Sequence, residues 1–244
     1  MKAIGVIPAR YGSTRFPGKP LAEINGMPMI QHVYNQVKKS NELFDVVVAT
    51  DHEMIRDVVQ GFGGNVVMTS VHHETGSDRI EEVTSLVDGD FFVNIQGDEP
   101  LIQAELIDAI VREAKHSKNE LVITAKTLIK DLEDIDNPNI VKVITTPEGK
   151  AIYFSRSKVP YNRSGIMHSY YKHLGIYGYP KSILKKFVNL QPSQLEKVEM
   201  LEQLRLLENK IDVQVIETTY DAVGVDTPED IAKVEKVLGG LQNV

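Results

Sequence analysis

The chain has 244 residues, 42% hydrophobic and 25% charged, enough for one large α/β domain with a core of normal size. Lys and Arg total 27 against 34 Asp and Glu, and the net charge of −7 argues against broad nucleic-acid or anionic-membrane binding. The absence of cysteine excludes disulfides, thiolate zinc sites and a cysteine nucleophile.

No run approaches the roughly 20 apolar residues of a membrane span. Met1–Ile7 is a short apolar run stopped by Pro8, which reads as a strand and not as a signal peptide, so a cytoplasmic protein is expected. Ala3–Ile7, Val46–Ala49 and Phe91–Ile95 are apolar runs typical of buried parallel strands, with Asn65–Met68 and Leu121–Ala125 as further strand candidates. Between them Met54–Phe62, Asp78–Val87 and Gln103–His116 carry helical spacing, clearest where Leu106, Ile107, Ile110, Val111 and Ala114 share one face. Strand and helix in alternation imply a mainly parallel sheet with helices on both faces, with ligands beyond the carboxyl ends of the strands.

After about residue 130 the pattern changes. Val141–Thr145 and Ala151–Ser155 flank the turn sequence Thr146-Pro147-Glu148-Gly149 and read as a hairpin. Residues 156–170 are polar and irregular, and Tyr170–Tyr179 is an aromatic-rich strand candidate. A helix is expected over Ser193–Glu208, a strand over Ile211–Glu217 and a last helix over Thr227–Leu238. Thr227-Pro228-Glu229-Asp230 opens that last helix with a hydroxyl cap, a proline at the first helical position and an acid three residues after the cap. Residues 1–244 are read as a single domain, with about 130–190 inserted as a hairpin or dimer-arm subdomain.

Four stretches carry chemistry. Ile7–Pro20 holds Arg10, Arg15 and Lys19 with two glycines and the hydroxyls of Ser13 and Thr14, a composition that suits phosphate binding but lacks Walker and dinucleotide spacing. The same composition also fits a solvated loop. Asn94–Pro100 places Asp98 beyond a strand, where an acid can hold a hard divalent cation, although an isolated Gly-Asp-Glu-Pro more often caps a turn. Near the C-terminus Thr227 supplies the helix cap, so Asp226 is not needed for that task and can face a ligand. Tyr170–Tyr177 contributes His173, and Glu202, four after Val198 and four before Leu206, is expected to border an apolar stripe and point inward. Arg79 reads as a further anion contact or a helix-surface cation.

In order, Ile7–Leu21, Val48–Asp51, Gln96–Pro100, Tyr153–Arg156, His173–Tyr177, Glu202–Arg205 and Gly224–Glu229 resemble the 3-deoxy-manno-octulosonate cytidylyltransferases (CMP-Kdo synthetases), across nearly the whole chain. The resemblance implies a nucleotide-diphospho-sugar transferase-like α/β fold, a smaller dimerisation part and a homodimer. It implies the reaction CTP + Kdo → CMP-Kdo + diphosphate, assisted by Mg²⁺ and serving lipopolysaccharide assembly. By the same resemblance Arg10, Ser13 and Lys19 would hold the triphosphate, and Pro8, Ala9, Thr75, Gly76 and Ser77 would shape the cytosine and ribose pocket. Asp98 and Asp226 would be the Mg²⁺ ligands. Gln96, His173, Tyr177, Glu202 and Gln203 would line the sugar site, with Arg15 and Arg156 as anion partners. Lys19, Asp98, Asp226 and Arg10 form the implied catalytic set, and the acceptor stays open between Kdo, 8-amino-Kdo and another sugar acid.

Overall fold

A computed structural model of the chain describes residues 1–12, 16–73, 75–118 and 120–241. Strand β1 (Ala3–Ala9) is apolar and buried because it lies inside a sheet, between β4 (Asp45–Thr50) and β6 (Phe91–Asn94), parallel to both. Beyond β4 the sheet ends in parallel β5 (Val66–Met68). On the other side of β6 comes β10 (Tyr171–Pro180), antiparallel to β6 and to β7 (Val122–Leu128), and β11 (Val213–Thr218) completes the row parallel to β7. The full order is β11-β7-β10-β6-β1-β4-β5, with the hairpin β8 (Lys142–Thr145) and β9 (Ala151–Ser155) joined to β10 through β8. The sheet is thus mainly parallel, as the alternating pattern implied, with one reversed strand in its middle.

Side chains alternate across β1. Ala3 and Ile7 enter one core with α1 (Met29–Val37), α2 (Glu53–Gly61) and α4 (Ala104–His116). Ile4 and Val6 enter the other with α3 (Gly76–Leu86), α6 (Lys181–Val188) and α8 (Leu204–Glu208). Both faces are therefore dry, which is what continuous apolar strands require. The small strands β2 (Glu23–Ile24) and β3 (Met27–Pro28) pack with the last helix, α9 (Pro228–Leu241), in a third cluster built on Ile24, Met29, Val225 and Val234. That cluster returns the C-terminal segment to the carboxyl end of β1.

One expectation needs correction. Ser193–Glu208 is not one helix: α7 (Gln194–Glu199) ends at Met200, which takes the left-handed conformation (φ 53°), and α8 starts afresh at Leu204. The break lets Leu201 and Leu204 both bury, while Val198 stays exposed. The apolar stripe through Val198 therefore does not form.

Within the 130–190 stretch a short helix, α5 (Glu133–Asp136), precedes the hairpin. The Lys142 side chain is fully buried, and its ammonium donates to the carbonyls of Asn137, Ile140 and Arg156 at 2.9, 2.6 and 2.6 Å. Beyond it, residues 156–170 form an irregular excursion, while β10 and α6 belong to the central sheet and its cover.

Candidate active site

The carboxyl ends of β1 and β6, the start of α3, the face of β10 and the α7–α8 turn enclose a cleft of about 590 Å³. Its lining includes Pro8, Ala9, Arg10 and Lys19 from the first loop, Gly76 and Ser77 from α3, Gln96 and Asp98 from the second loop, His173 and Tyr177 from β10, and Glu202 and Gln203 from the turn. Ser13 and Arg15 lie outside the described residues. Thr75 caps α3 at the cleft edge in a capping box: its hydroxyl accepts from the Asp78 amide at 3.1 Å, and Asp78 accepts from the Thr75 amide at 3.0 Å.

Two glycines make the first loops fit. Gly18 adopts φ 68°, and its amide donates to the Tyr11 carbonyl at 2.9 Å, which holds Gly18 against Tyr11. Tyr11 in turn stacks on His52, ring centroids 4.1 Å apart. A Cβ at Gly97 would meet the Pro8 carbonyl oxygen at 2.7 Å, so only glycine lets the second loop lie against the end of β1.

That approach brings three charges together. The Lys19 ammonium donates to Asp98 at 2.6 Å and to the Val225 carbonyl at 2.9 Å, and stands 3.7 Å from Asp226. The Val225 amide donates to the Asp98 carbonyl at 2.9 Å, tying the two acidic loops to each other. Asp226 precedes α9, whose start is capped by Asp230: its carboxylate accepts from the Thr227 hydroxyl and from the amides of Asp226 and Thr227. The Lys233 ammonium, 2.6 Å from the same carboxylate, together with those donors holds the Asp230 carboxyl well below its ordinary range. Glu99, beside Asp98, is pushed up to about 7 by burial and by the Asp98 charge.

The β10 wall of the cleft is aromatic. A bulge in β10 between Leu174 and Tyr177 exposes the Gly175 carbonyl, which accepts from Gln96 at 2.9 Å. His173 packs edge-on against Phe154, and burial pushes its imidazole down to about 3, so it is neutral. Its Nε2 lies 3.1 Å from the Thr124 hydroxyl. That hydroxyl faces the Leu174 and Ile176 carbonyls, which fixes Nε2 as the protonated nitrogen donating to Thr124. Burial keeps Tyr177 and Tyr179 un-ionised. Glu202 is raised by burial, against the lowering effect of a hydrogen bond from Ser77.

Two arginines sit elsewhere. Arg156 is not brought to the cleft: Glu199 accepts from the Ser155 hydroxyl and the Arg156 amide, which turns the guanidinium onto the carbonyls of Glu199 and Pro138 at 2.9 and 3.1 Å. Arg79 is neither a surface cation nor a cleft residue. It is fully buried, with Asp51 at 2.7 Å and Thr69 at 2.5 Å.

Asn94 and Tyr179 line the cleft without having been singled out from sequence. The signals were present: Asn94 is the polar end of an apolar strand, and Tyr179 lies two residues after Tyr177 on the same strand face.

A mainly parallel sheet of this order, with a cation-lined loop and two acids in one cleft with an aromatic and polar wall, defines a nucleotidyltransferase of the nucleotide-diphospho-sugar transferase-like type. Residues 4–215 match the Cytidylyltransferase family model. The chain is 46% identical to the 3-deoxy-manno-octulosonate cytidylyltransferase of Geobacter metallireducens, over 99% of this chain and 100% of that protein. It is 47% identical to the protein of the same name from Thermodesulfovibrio yellowstonii, over 98% of each. A solved CMP:2-keto-3-deoxy-manno-octonic acid synthetase complexed with CTP superposes with a TM-score of 0.95 at 40% identity, over 100% of both chains. A cytidylyltransferase from Leptospira borgpetersenii, 17% identical with a TM-score of 0.66 over 98% of this chain and 87% of that one, shares the fold. The chain belongs to the 3-deoxy-manno-octulosonate cytidylyltransferase family.

Proposed function

We propose that this enzyme transfers the cytidylyl group of CTP to 3-deoxy-D-manno-octulosonate (Kdo), giving CMP-Kdo and diphosphate for lipopolysaccharide assembly in the cytoplasm. The observation that carries the reading is the make-up of one cleft: Lys19 between Asp98 and Asp226, with His173, Tyr177 and Glu202 lining the same cavity. Arg10 and Lys19 meet the triphosphate, and Pro8, Ala9 and the start of α3 border the nucleoside. Gln96, His173, Tyr177, Glu202 and Gln203 hold the sugar acid with its anomeric hydroxyl toward the α-phosphorus. The anomeric oxygen bonds to that phosphorus, the bond to the bridging oxygen of diphosphate breaks, and the hydroxyl proton passes to solvent. With no covalent enzyme intermediate, the protein's part is orientation and charge neutralisation in a partly dry site.

The donor set suits Mg²⁺. Asp98 and Asp226 already converge on one cation, the Lys19 ammonium, and two hard carboxylate oxygens leave positions for phosphate oxygens and water. When bound there, Mg²⁺ supplies neutralisation of phosphate charge. Among the described residues, no group of three or more His, Asp or Glu gathers as an all-protein metal cage. The excursion after β9 is read as a homodimer arm, because Tyr161, Ile166 and Met167 present apolar surface there, Met167 being 100% exposed.

The test is diphosphate release from CTP, Mg²⁺ and Kdo, with 8-amino-Kdo and a sialic acid compared by kcat/KM. Kdo is expected to lead, and Asp98→Asn to lose turnover while remaining folded. A folded wild-type protein releasing no diphosphate with any of these acids overturns the reading.

A further inference from the structure

The reading of the site leaves Ser77 among the nucleotide contacts, but its side chain points elsewhere. Ser77 is the second residue of α3, and the capping of that helix is completed by Thr75 and Asp78 without it. Its side chain is buried, and its hydroxyl donates to Glu202 Oε2 at 2.9 Å, across 125 residues of sequence. Glu202 follows the left-handed residue Met200 and lies in the turn between two helices, so no helical backbone fixes it. Arg205, the nearby cation, is committed to Glu196 at 2.5 and 2.8 Å and stands 3.9 Å from Glu202 Oε1. That same Oε1 is buried and, among the described residues, without a hydrogen-bond partner, while Glu202 lines the cleft. A buried carboxylate oxygen in this state is expensive unless a ligand donor completes it.

We infer that Ser77 is a positioning residue for the acceptor sugar: its hydroxyl pins one oxygen of Glu202 and so fixes that side chain where it lines the cleft. The start of α3 then serves both halves of the reaction, with its backbone bordering the nucleotide and one side chain holding the acceptor site in register. This rests on the cytidylyltransferase reading above and adds the role of one residue to it.

A serine that touched the nucleotide would, when replaced by alanine, raise KM for CTP. A serine that positions Glu202 raises KM for Kdo and leaves KM for CTP within about twofold. Losing a hydrogen bond to a charged group predicts a rise of about tenfold or more in KM for Kdo in Ser77→Ala. Ser77→Thr, which keeps the donor, should return most of it, and Ser77→Ala should add nothing in a Glu202→Ala background. A shift in KM for CTP alone, or additive effects in the double variant, overturns the inference. A double-mutant cycle on urea unfolding with Ser77→Ala and Glu202→Ala reads the contact without turnover. About fivefold or more coupling in the unfolding equilibrium is expected for a paired hydroxyl and carboxylate, and zero coupling overturns the inference. An inactive wild type with that coupling intact would count against the reaction assigned and not against the contact.

Discussion

Replacing Lys19 by Met should tighten the binding of a divalent cation to the substrate-free enzyme while it weakens catalysis. The Lys19 ammonium sits 2.6 Å from Asp98 and 3.7 Å from Asp226, and the three side chains are 15%, 31% and 59% exposed. Opposite charges about 4 Å apart attract by about 1 kcal/mol in water and about 4 kcal/mol at an effective dielectric near 20. Partial exposure places this cluster toward the lower figure, about 1–2 kcal/mol. An incoming cation must displace that ammonium from both carboxylates. Without Lys19 the cost disappears, so binding should tighten about 5- to 30-fold. Mn²⁺ titration by calorimetry or paramagnetic resonance, with no nucleotide present, measures this directly. Met keeps the aliphatic stem, and Lys150→Met, which breaks an ion pair with Asp212 at the other end of the sheet, controls for the change in net charge. Turnover in Lys19→Met should fall about 100-fold or more, as for loss of a charge-stabilising donor. Mn²⁺ affinity that is unchanged, or raised equally by Lys150→Met, would refute the idea that Lys19 occupies the cation position.

Arg79→Met should destabilise the fold by about 3–5 kcal/mol in urea unfolding, because it leaves Asp51 without its buried partner; a loss under about 1 kcal/mol would show that the pair is replaceable. His173 has a depressed pKa, so below about pH 6.5 the unfolded chain takes up a proton that the folded chain refuses. Its contribution is complete above pH 6.5 and is lost at up to about 1.4 kcal/mol per pH unit as pH falls toward 3, so unfolding free energies of wild type and His173→Gln should differ in slope there. Equal slopes would mean that His173 is solvated. Met167→Asp in the arm should shift sedimentation from dimer to monomer; a wild type already monomeric at micromolar concentration removes the arm from assembly.

Much of the cleft was legible because its polar loops follow apolar strands whose ends can be seen in the sequence. The run Ala3–Ile7 ends at Pro8 and Phe91–Ile95 ends at Gln96, so the sequence alone assigns the loops bearing Lys19 and Asp98 to strand ends. Asp226 was legible through its neighbours, since Thr227-Pro228-Glu229-Asp230 announces a helix that begins just after it. Helices α1 and α6 carried no such announcement: each follows a proline, Pro28 and Pro180, with no side-chain cap and no acid in the first turn. The break at Met200 was illegible for a different reason. Neither glycine nor proline stands there, and the turn is imposed by burial of Leu201 and Leu204, which both follow it.

Glu202 shows how a sound conclusion can rest on a wrong intermediate. Helical spacing from Val198 to Leu206 pointed it inward, yet Val198 is exposed and the helix is broken between them. What turns Glu202 inward is a long-range pair, the Ser77 hydroxyl, which no local periodicity encodes. The same holds for β10. Its aromatic content marked it as a strand, but its antiparallel seat between β6 and β7 depends on pairings about 80 and 50 residues away in sequence. That seat brings His173 and Tyr177 into the same cleft as Lys19. The chemistry of each loop is thus local in sequence, whereas the meeting of these loops and strands in one cleft is a property of the sheet.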